Sequence, residues 1–245
     1  MVNQLKVIIT GATSGIGREL ARILCRDGRN IVLGVGRNVD ALNDLARELR
    51  NCIIPLQADL SKLSGVERVV EVASRTLGEV DLLVNNAGFG LYKGIIEHTD
   101  EEALSMIMVN FTAPILLTKK LLHLLKAGST VVFIITAGVH VLMESLPLYG
   151  ASKAGLHYAV KALRKELRDR GIKVLAVYPG VVKSSFHERA GFKVESGLDP
   201  ARVASEVIKA IEKGKAEIYI PRYMAIAKLL SPLLLDFRGP AKAKS

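Results

Sequence analysis

The sequence predicts an α/β protein with a doubly wound parallel sheet of about seven strands and helices on both of its faces. Two observations predict this fold: short β-branched runs alternate with longer amphipathic segments along the chain, and a glycine-rich segment directly follows the first run. Apolar strands separated by helical stretches are typical of βαβ units whose helices cover both faces of the sheet. The 245 residues are expected to form a single domain, residues 1–245.

The individual elements follow from the same pattern. Asp199 followed by Pro200 predicts a helix start, because aspartate caps free amides and proline fits the first turn. Gly28 and Gly171 predict helix ends. The tail Gly239–Ser245 is expected to fray. The predicted strands are Val7–Thr10, Ile31–Val35, Cys52–Leu56, Val80–Asn85, Thr130–Ile135, Lys173–Tyr178 and Glu217–Ile220.

Composition narrows the class of protein. Hydrophobic residues make up 49% of the chain, yet no uninterrupted apolar run reaches the roughly 20 residues of a membrane-spanning helix. The apolar run at Val7 begins too early for a secretory signal, so a cytoplasmic protein is expected. The net charge of +10 is dispersed: basic residues from Lys161 to Arg168 alternate with acidic ones, as on a solvated helix face. Nucleic acid binding is therefore not expected.

The glycine-rich segment Thr10–Gly17 lies between the first predicted strand and the first predicted helix. Gly11 permits a tight turn, Gly15 leaves room for a pyrophosphate, and Gly17 lets the helix lie close to the sheet. The helix N-terminus adds amide donors and a partial positive charge. The segment therefore predicts a dinucleotide site, with Gly11, Thr13, Ser14, Gly15, Ile16 and Gly17 as cofactor-binding residues.

The end of the second strand indicates which dinucleotide is bound. Sites for NAD usually carry an acidic residue there to bind the ribose 2′-hydroxyl. This chain has Gly36, Arg37 and Asn38 instead. A guanidinium suits bidentate phosphate recognition, so Arg37 is expected to bind the 2′-phosphate of NADP(H), with Asn38 beside it as a further cofactor-binding residue.

Tyr149 and Lys153 are four residues apart in a predicted helix, so they share one helix face. A nearby cation stabilises phenolate, and the pKa of Tyr149 is therefore expected to fall from its reference of about 10. Tyr149 would then exchange a proton with a substrate oxygen while hydride moves to or from nicotinamide.

Together with the glycine segment, these residues give a chain that resembles the short-chain dehydrogenase/reductase family over nearly its whole length. The resemblance implies a Rossmann-like fold, with Tyr149 as acid/base, Lys153 as ribose ligand and pKa modulator, and Asn110 as support for a proton-relay water. Two segments match the family around adenine and the fourth strand: Asp59 with Leu60, and Asn86 with Ala87 and Gly88. The loop matching the one around nicotinamide contributes Pro179, Gly180, Val182 and Ser184.

The chain departs from this family where it has threonine in place of the catalytic serine, thirteen residues before the tyrosine, at Thr136. Threonine keeps a hydroxyl that donates to a substrate oxygen, while its methyl group narrows the rotamer choice. Thr136 is therefore assigned a catalytic role, with a non-catalytic NADP(H)-binding regulator of the same fold as the alternative.

The remaining expectations concern substrate and partners. By resemblance, residues 185–198 form the substrate lid, and their apolar content favours a carbonyl or alcohol substrate that is not strongly charged. The apolar segment 222–237 packs over the pocket or a second subunit, contacts a membrane surface, or belongs to the core. Family members are commonly dimers or tetramers. Cys25 and Cys52 are interpreted as buried free thiols, no metal is expected, and no role is assigned to His98, His123, His140, His157 and His187.

Overall fold

A computed structural model of the chain describes residues 4–184, 186, 196–230 and 236–237. Most of the predicted lid and the tail Gly239–Ser245 lie outside the described residues. The strands are β1 (Lys6–Thr10), β2 (Ile31–Gly36), β3 (Ile53–Gln57), β4 (Val80–Asn85), β5 (Leu125–Ile134), β6 (Leu142–Met143), β7 (Lys173–Pro179), β8 (Glu217–Ile220) and β9 (Asp236–Phe237).

Seven of these strands form one parallel sheet in the order β3-β2-β1-β4-β5-β7-β8, and β6 pairs with β9 apart from it. The helices are α1 (Gly15–Cys25), α2 (Val39–Leu49), α3 (Leu63–Thr76), α4 (Asp100–Ile107), α5 (Ala113–Lys120), α6 (Pro147–Arg168), α7 (Pro200–Glu212) and α8 (Ile226–Leu230). The predicted doubly wound α/β fold is confirmed. Asp199 caps α7 as predicted, accepting a hydrogen bond of 2.9 Å from the Ala201 amide.

The sheet is buried on both faces because successive strand residues point to opposite sides. In β1, Val7 and Ile9 pack with the buried faces of α1 and α7. Ile8 between them packs with residues of α3, α5 and α6 on the other face. Within the described residues, no helix is both long and apolar enough to cross a membrane.

Strand boundaries differ from the prediction by one residue in β1, β2, β3 and β7, and by five residues at the start of β5. Strand β5 begins at Leu125, not Thr130, and its pairing with β4 shifts register between Val80 and Leu82. Three of the added residues, 126–128, are exposed and polar or small, so no apolar pattern marks them. Cys52 ends a short 3-10 turn, and β3 starts at Ile53.

The prediction of two free thiols is wrong, because Cys25 and Cys52 form a disulfide. Cys25 ends α1 and Cys52 precedes β3, and the fold brings their Cα atoms to 5.5 Å although they are 27 residues apart. Such proximity depends on tertiary packing and leaves no local signal. Disulfides are typical of oxidising compartments, so this bond does not support the cytoplasmic location, which stays a prediction.

Reduction of the disulfide is expected to lower the free energy of unfolding by about 3.5 kcal/mol, because a closed loop of this length restricts the unfolded chain. Urea unfolding with and without reductant measures the difference. The Cys25→Ala/Cys52→Ala double variant is the control, and reductant should leave its stability unchanged. Two thiols titrating in the unfolded, unreduced wild type would contradict the assignment.

Candidate active site

A cavity of about 1440 Å³ opens at the carboxyl edge of the sheet, where β1 and β4 lie side by side. The strand order reverses between these strands, and ligands of open α/β sheets bind at such a point. The predicted site residues that line the cavity are Gly11, Thr13, Ser14, Gly15, Ile16, Arg37, Asn38, Leu60, Asn86, Ala87, Gly88, Thr136, Tyr149, Lys153, Pro179, Gly180, Val182 and Ser184. Gly17, Asp59 and Asn110 lie behind or beside this lining.

The glycine loop is shaped by close contacts around α1. A Cβ atom at Gly17 would lie 2.2 Å from the Gly11 carbonyl oxygen and 2.5 Å from Asn86 Nδ2. Gly15 has a φ of +52°, and a Cβ there would lie 3.1 Å from Ser184 Cβ. Only glycine fits at position 17. These contacts show that the start of α1 lies directly against the loops after β4 and β7.

Asn86, predicted to bind cofactor, ties the loop after β4 to the glycine loop. Its Nδ2 donates to the carbonyl oxygens of Thr10 at 2.9 Å and Gly11 at 3.1 Å. Thr10 Oγ1 accepts from the amides of Asn86 and Ala87, each at 3.0 Å. The buried Thr10 hydroxyl is a positioning group that the sequence analysis missed.

At the far end of the cavity, Arg37 is exposed directly after β2, with its guanidinium carbon 6.0 Å from the centre of the Phe89 ring. Asn38, predicted to bind the cofactor, uses its side-chain oxygen to cap α2 by accepting from the Ala41 amide at 2.9 Å. Arg37 is therefore the cation that this end of the described cavity presents to a ligand.

Asp59 lies in an adjoining polar cavity of about 810 Å³, which Arg37 also lines. Its carboxylate accepts from the Ser61 amide at 3.0 Å and the Ser61 hydroxyl at 2.8 Å. Burial acts to raise the pKa of Asp59, but these hydrogen bonds and the charges of Arg37 and Lys62 hold it below its ordinary value. The side chain is ionised, and Leu60 beside it lines the main cavity.

Asn110 is fully buried in a π-helical turn, Met108–Thr112, that joins α4 to α5. Its side-chain amide donates to the Phe89 carbonyl at 2.8 Å and to Ser152 Oγ at 3.0 Å. Its Oδ1 accepts from the Phe89 amide at 3.0 Å. Ser152, which donates to the Tyr149 carbonyl at 2.7 Å, therefore connects Asn110 to the helix that carries Tyr149.

Lys153 is buried on α6, and its ammonium donates to the Ile134 carbonyl at 3.0 Å. A Cβ at Gly88 would lie 3.1 Å from Asn110 Oδ1 and 3.3 Å from Lys153 Nζ. These two groups therefore face the same small space beside Gly88. Burial lowers the pKa of Lys153 to about 8, so the ammonium persists at neutral pH.

Burial raises the pKa of Tyr149 well above its ordinary value, and the nearby Thr136 hydroxyl offsets only part of this rise. The predicted fall in the pKa of Tyr149 is therefore wrong for the protein without ligand. Thr136 Oγ1 donates to the Pro179 carbonyl at 3.4 Å. Thr136 Oγ1 also accepts from the Gly138 amide at 3.2 Å, which fixes its rotamer within the turn.

The walls beyond Tyr149 are largely apolar. The Phe186 ring meets the Tyr149 ring edge-on, with centroids 5.2 Å apart. A Cβ at Gly90 would approach Phe186, Leu146 and Tyr149 at 3.1 to 3.3 Å, so these groups pack closely. Tyr92 also lines the cavity, and burial raises the pKa of its phenol. The sequence analysis did not predict Tyr92 as a cavity residue, although its position in the loop after β4 indicated this.

The chain is similar in sequence and fold to known proteins of one family. A family model described as short chain dehydrogenase matches residues 5–193. An uncharacterised oxidoreductase of Staphylococcus epidermidis is 31% identical over 219 residues, which cover 86% of this chain and 92% of that protein.

Two solved structures are similar over 98% of both chains. A short-chain dehydrogenase from Sphingobium yanoikuyae in complex with NADPH has a TM-score of 0.81 at 26% identity. A short-chain dehydrogenase/reductase from Burkholderia phymatum in complex with NAD has a TM-score of 0.84 at 20% identity, a likeness of fold alone. The same fold thus binds either dinucleotide in these proteins, and the residues around the ribose must decide which one is preferred.

Proposed function

This chain belongs to the short-chain dehydrogenase family of oxidoreductases, and from that premise we propose that it moves hydride between NADP(H) and a carbonyl or secondary alcohol substrate. One observation carries the proposal: the glycine loop and the group of Thr136, Tyr149 and Lys153 line the same cavity. A dinucleotide phosphate held at α1 would thus have acid/base groups at the opposite end of its site.

The residues present fit a dinucleotide. Gly15 lines the cavity at the start of α1, where amide donors and the helix dipole favour phosphate. Leu60 offers an apolar contact for adenine, and Lys153 offers donors for ribose hydroxyls. When bound, the nicotinamide supplies or accepts the hydride at the substrate carbon.

Tyr149 is proposed as the proton donor in the direction of carbonyl reduction. Because burial raises its pKa, the phenol is protonated at neutral pH, which is the form that gives a proton to a carbonyl oxygen. The Lys153 ammonium, which is charged at neutral pH, is proposed to stabilise the phenolate that remains, since a positive charge favours the ionised phenol. Thr136 and Tyr149 line the same cavity, and the Thr136 hydroxyl acts on the phenol, which supports a catalytic role for Thr136 in holding the substrate oxygen.

Asn110 is proposed to support the route by which Tyr149 regains its proton. Its Oδ1 faces the same space as Lys153 Nζ beside Gly88, a place where a water would find polar partners on two sides. The hydrogen bonds of the Asn110 amide to Phe89 and Ser152 leave it a fixed orientation.

Preference for NADP(H) is proposed from Arg37. The guanidinium is exposed at the end of the cavity where the 2′-phosphate would lie, and Gly36 provides no competing carboxylate. The adjoining polar cavity holds Lys62 and Arg68 together with Asp59, Glu67 and Glu71, so the preference is proposed from Arg37 alone. The substrate is proposed to be apolar and uncharged, because Leu146, Phe186 and Tyr92 form its walls. The expected dimer or tetramer and the membrane contact stay predictions.

Arg37→Ala is expected to weaken NADPH binding by one to two decades and to leave NADH binding nearly unchanged. The physical reason is the loss of a charge-assisted hydrogen bond worth roughly 1.5 to 3 kcal/mol. Equilibrium titration of both cofactors into wild type and variant measures the effect. Arg170→Ala, which removes an exposed arginine outside the cavity lining, is the control. Equal wild-type affinities for the two cofactors would contradict the preference.

Tyr149→Phe is expected to slow hydride transfer by at least about a hundredfold while NADPH binding stays nearly unchanged, because only the phenol is lost. Lys153→Met should impair both hydride transfer and NADPH binding, since its ammonium is proposed to stabilise the phenolate and to hold the ribose. Single-turnover oxidation of NADPH with an apolar aryl ketone, together with cofactor dissociation constants, measures the two effects.

Tyr158→Phe is the matched control for Tyr149→Phe, because it removes a phenol hydroxyl from the same helix at a side chain that is 78% exposed. Its rate should equal that of the wild type. Hydride transfer by Tyr149→Phe at a rate near wild type would remove the phenol from the proposed chemistry.

A further inference from the structure

Four ring side chains that the proposed chemistry does not use form a cluster on the α6 side of the sheet. His140 Nε2 hydrogen-bonds with Tyr219 Oη at 2.9 Å, and His157 Nδ1 with Tyr178 Oη at 2.8 Å. Tyr178 and Tyr219 are register partners on β7 and β8, and their rings stack with centroids 4.5 Å apart. The two imidazoles meet edge-on at 5.5 Å. We call these four residues the ring layer.

The ring layer lies directly behind the candidate active site. His140 ends the 3-10 turn Ala137–His140 that Thr136 caps, and His157 is one helical turn beyond Lys153 on α6. Tyr178 directly precedes Pro179 at the cavity. Each element that carries the layer therefore also carries or adjoins a residue of the site.

The turn depends on few other anchors. Within it, the Gly138 amide donates to Thr136 Oγ1 at 3.2 Å, the Val139 amide to the Thr136 carbonyl at 3.4 Å, and the Val141 amide to the Gly138 carbonyl at 3.2 Å. These are local bonds, whereas two bonds join the turn to the sheet. Thr136 Oγ1 donates to the Pro179 carbonyl at 3.4 Å and holds the start of the turn against β7. The bond of His140 to Tyr219, 79 residues along the chain, holds its end against β8.

Charged groups around the layer favour neutral imidazoles. Lys161 on α6 and Lys228 on α8 act on both rings, and Glu217 on β8 opposes them while paired with Lys228 at 2.6 Å. Burial, followed by these lysines, lowers the pKa of His140 below its ordinary value and that of His157 to about 4. Burial likewise raises the pKa of Tyr178 and raises that of Tyr219 to about 12. Besides Glu217, Arg164 is the charged group that acts on Tyr178.

We propose that the ring layer positions the Thr136 turn, and with it the Thr136 hydroxyl against Tyr149, and that it does so only while both imidazoles are neutral. This inference rests on the proposed function for its link to activity. Its structural part, that the His140–Tyr219 bond holds the turn, stands on the geometry alone.

Acid pH opposes the layer. Folding lowers the pKa of these histidines, so their contribution to stability is fully present only at pH values above the pKa of a free histidine, about 6.5. This stabilisation is lost as the pH falls toward 4. Protonation would place new positive charges beside Lys161, Lys228 and Arg164, with Glu217 as the opposing carboxylate. The layer should therefore loosen, and turnover decline, between these two pH values.

Tyr219→Phe tests the positioning role, because it removes the hydroxyl and keeps the stacked ring. Amide hydrogen exchange of the peptide that covers residues 136–141 should become about fivefold faster, the factor for one hydrogen bond of about 1 kcal/mol. For hydride transfer, kcat should fall by a similar factor with the NADPH dissociation constant unchanged. Tyr158→Phe, an exposed phenol next to His157, is the control, and both quantities should match the wild type.

His140→Gln with His157→Gln tests the dependence on protonation. Glutamine keeps hydrogen-bonding groups but does not titrate, so this double variant should keep most of its turnover at pH 7 and lose the wild-type decline between pH 6.5 and 4. An unchanged acid decline in the double variant, or Tyr219→Phe behaving like Tyr158→Phe, would overturn the inference.

The two hypotheses fail in different ways. If the wild type oxidises NADPH with none of a panel of aldehydes and ketones, the proposed function fails. Hydrogen exchange of residues 136–141 still decides whether the His140–Tyr219 bond positions the turn: faster exchange in Tyr219→Phe supports this role, and unchanged exchange overturns it.

Discussion

The site depends on the contact between the start of α1 and the loop after β4. Gly17 lies so close to the Gly11 carbonyl and the Asn86 amide that no side chain fits there. Asn86 and Thr10 then bind the two loops to each other through hydrogen bonds of about 3 Å. Because this contact lies between β1 and β4, it sets the width of the cleft. The glycine loop and residues of α6 both line this cleft.

Burial governs the chemistry at the other end of that cleft. Asn110 and Lys153 are almost fully enclosed, and their polar atoms are matched by the Phe89 and Ile134 backbones and by Ser152. Buried polar groups are tolerated when hydrogen-bonded, and they then hold a fixed geometry. The same burial keeps Tyr149 protonated, and burial also favours the neutral form of His140 at the end of the Thr136 turn.

The sequence predicted most of the fold because β-branched runs and helix caps are local signals. Strand β4 and strand β8 have the predicted bounds, while the start of β5 lacks an apolar pattern and was missed. The disulfide and the His140–Tyr219 bond join residues far apart in the chain, so no spacing reveals them. The pKa of Tyr149 was predicted in the wrong direction, because its burial emerges only from the folded site.

Transfer of deuterium tests the central claim most directly. NADPH carrying deuterium at both C4 positions is mixed with the wild-type chain and an apolar aryl ketone, and the product is analysed by mass spectrometry. The account predicts one deuterium on the carbinol carbon of the product, because hydride moves directly from nicotinamide while Tyr149 supplies the proton from solvent. Binding of NADPH with no labelled alcohol from any ketone tried would contradict it and indicate a dinucleotide-binding protein without turnover.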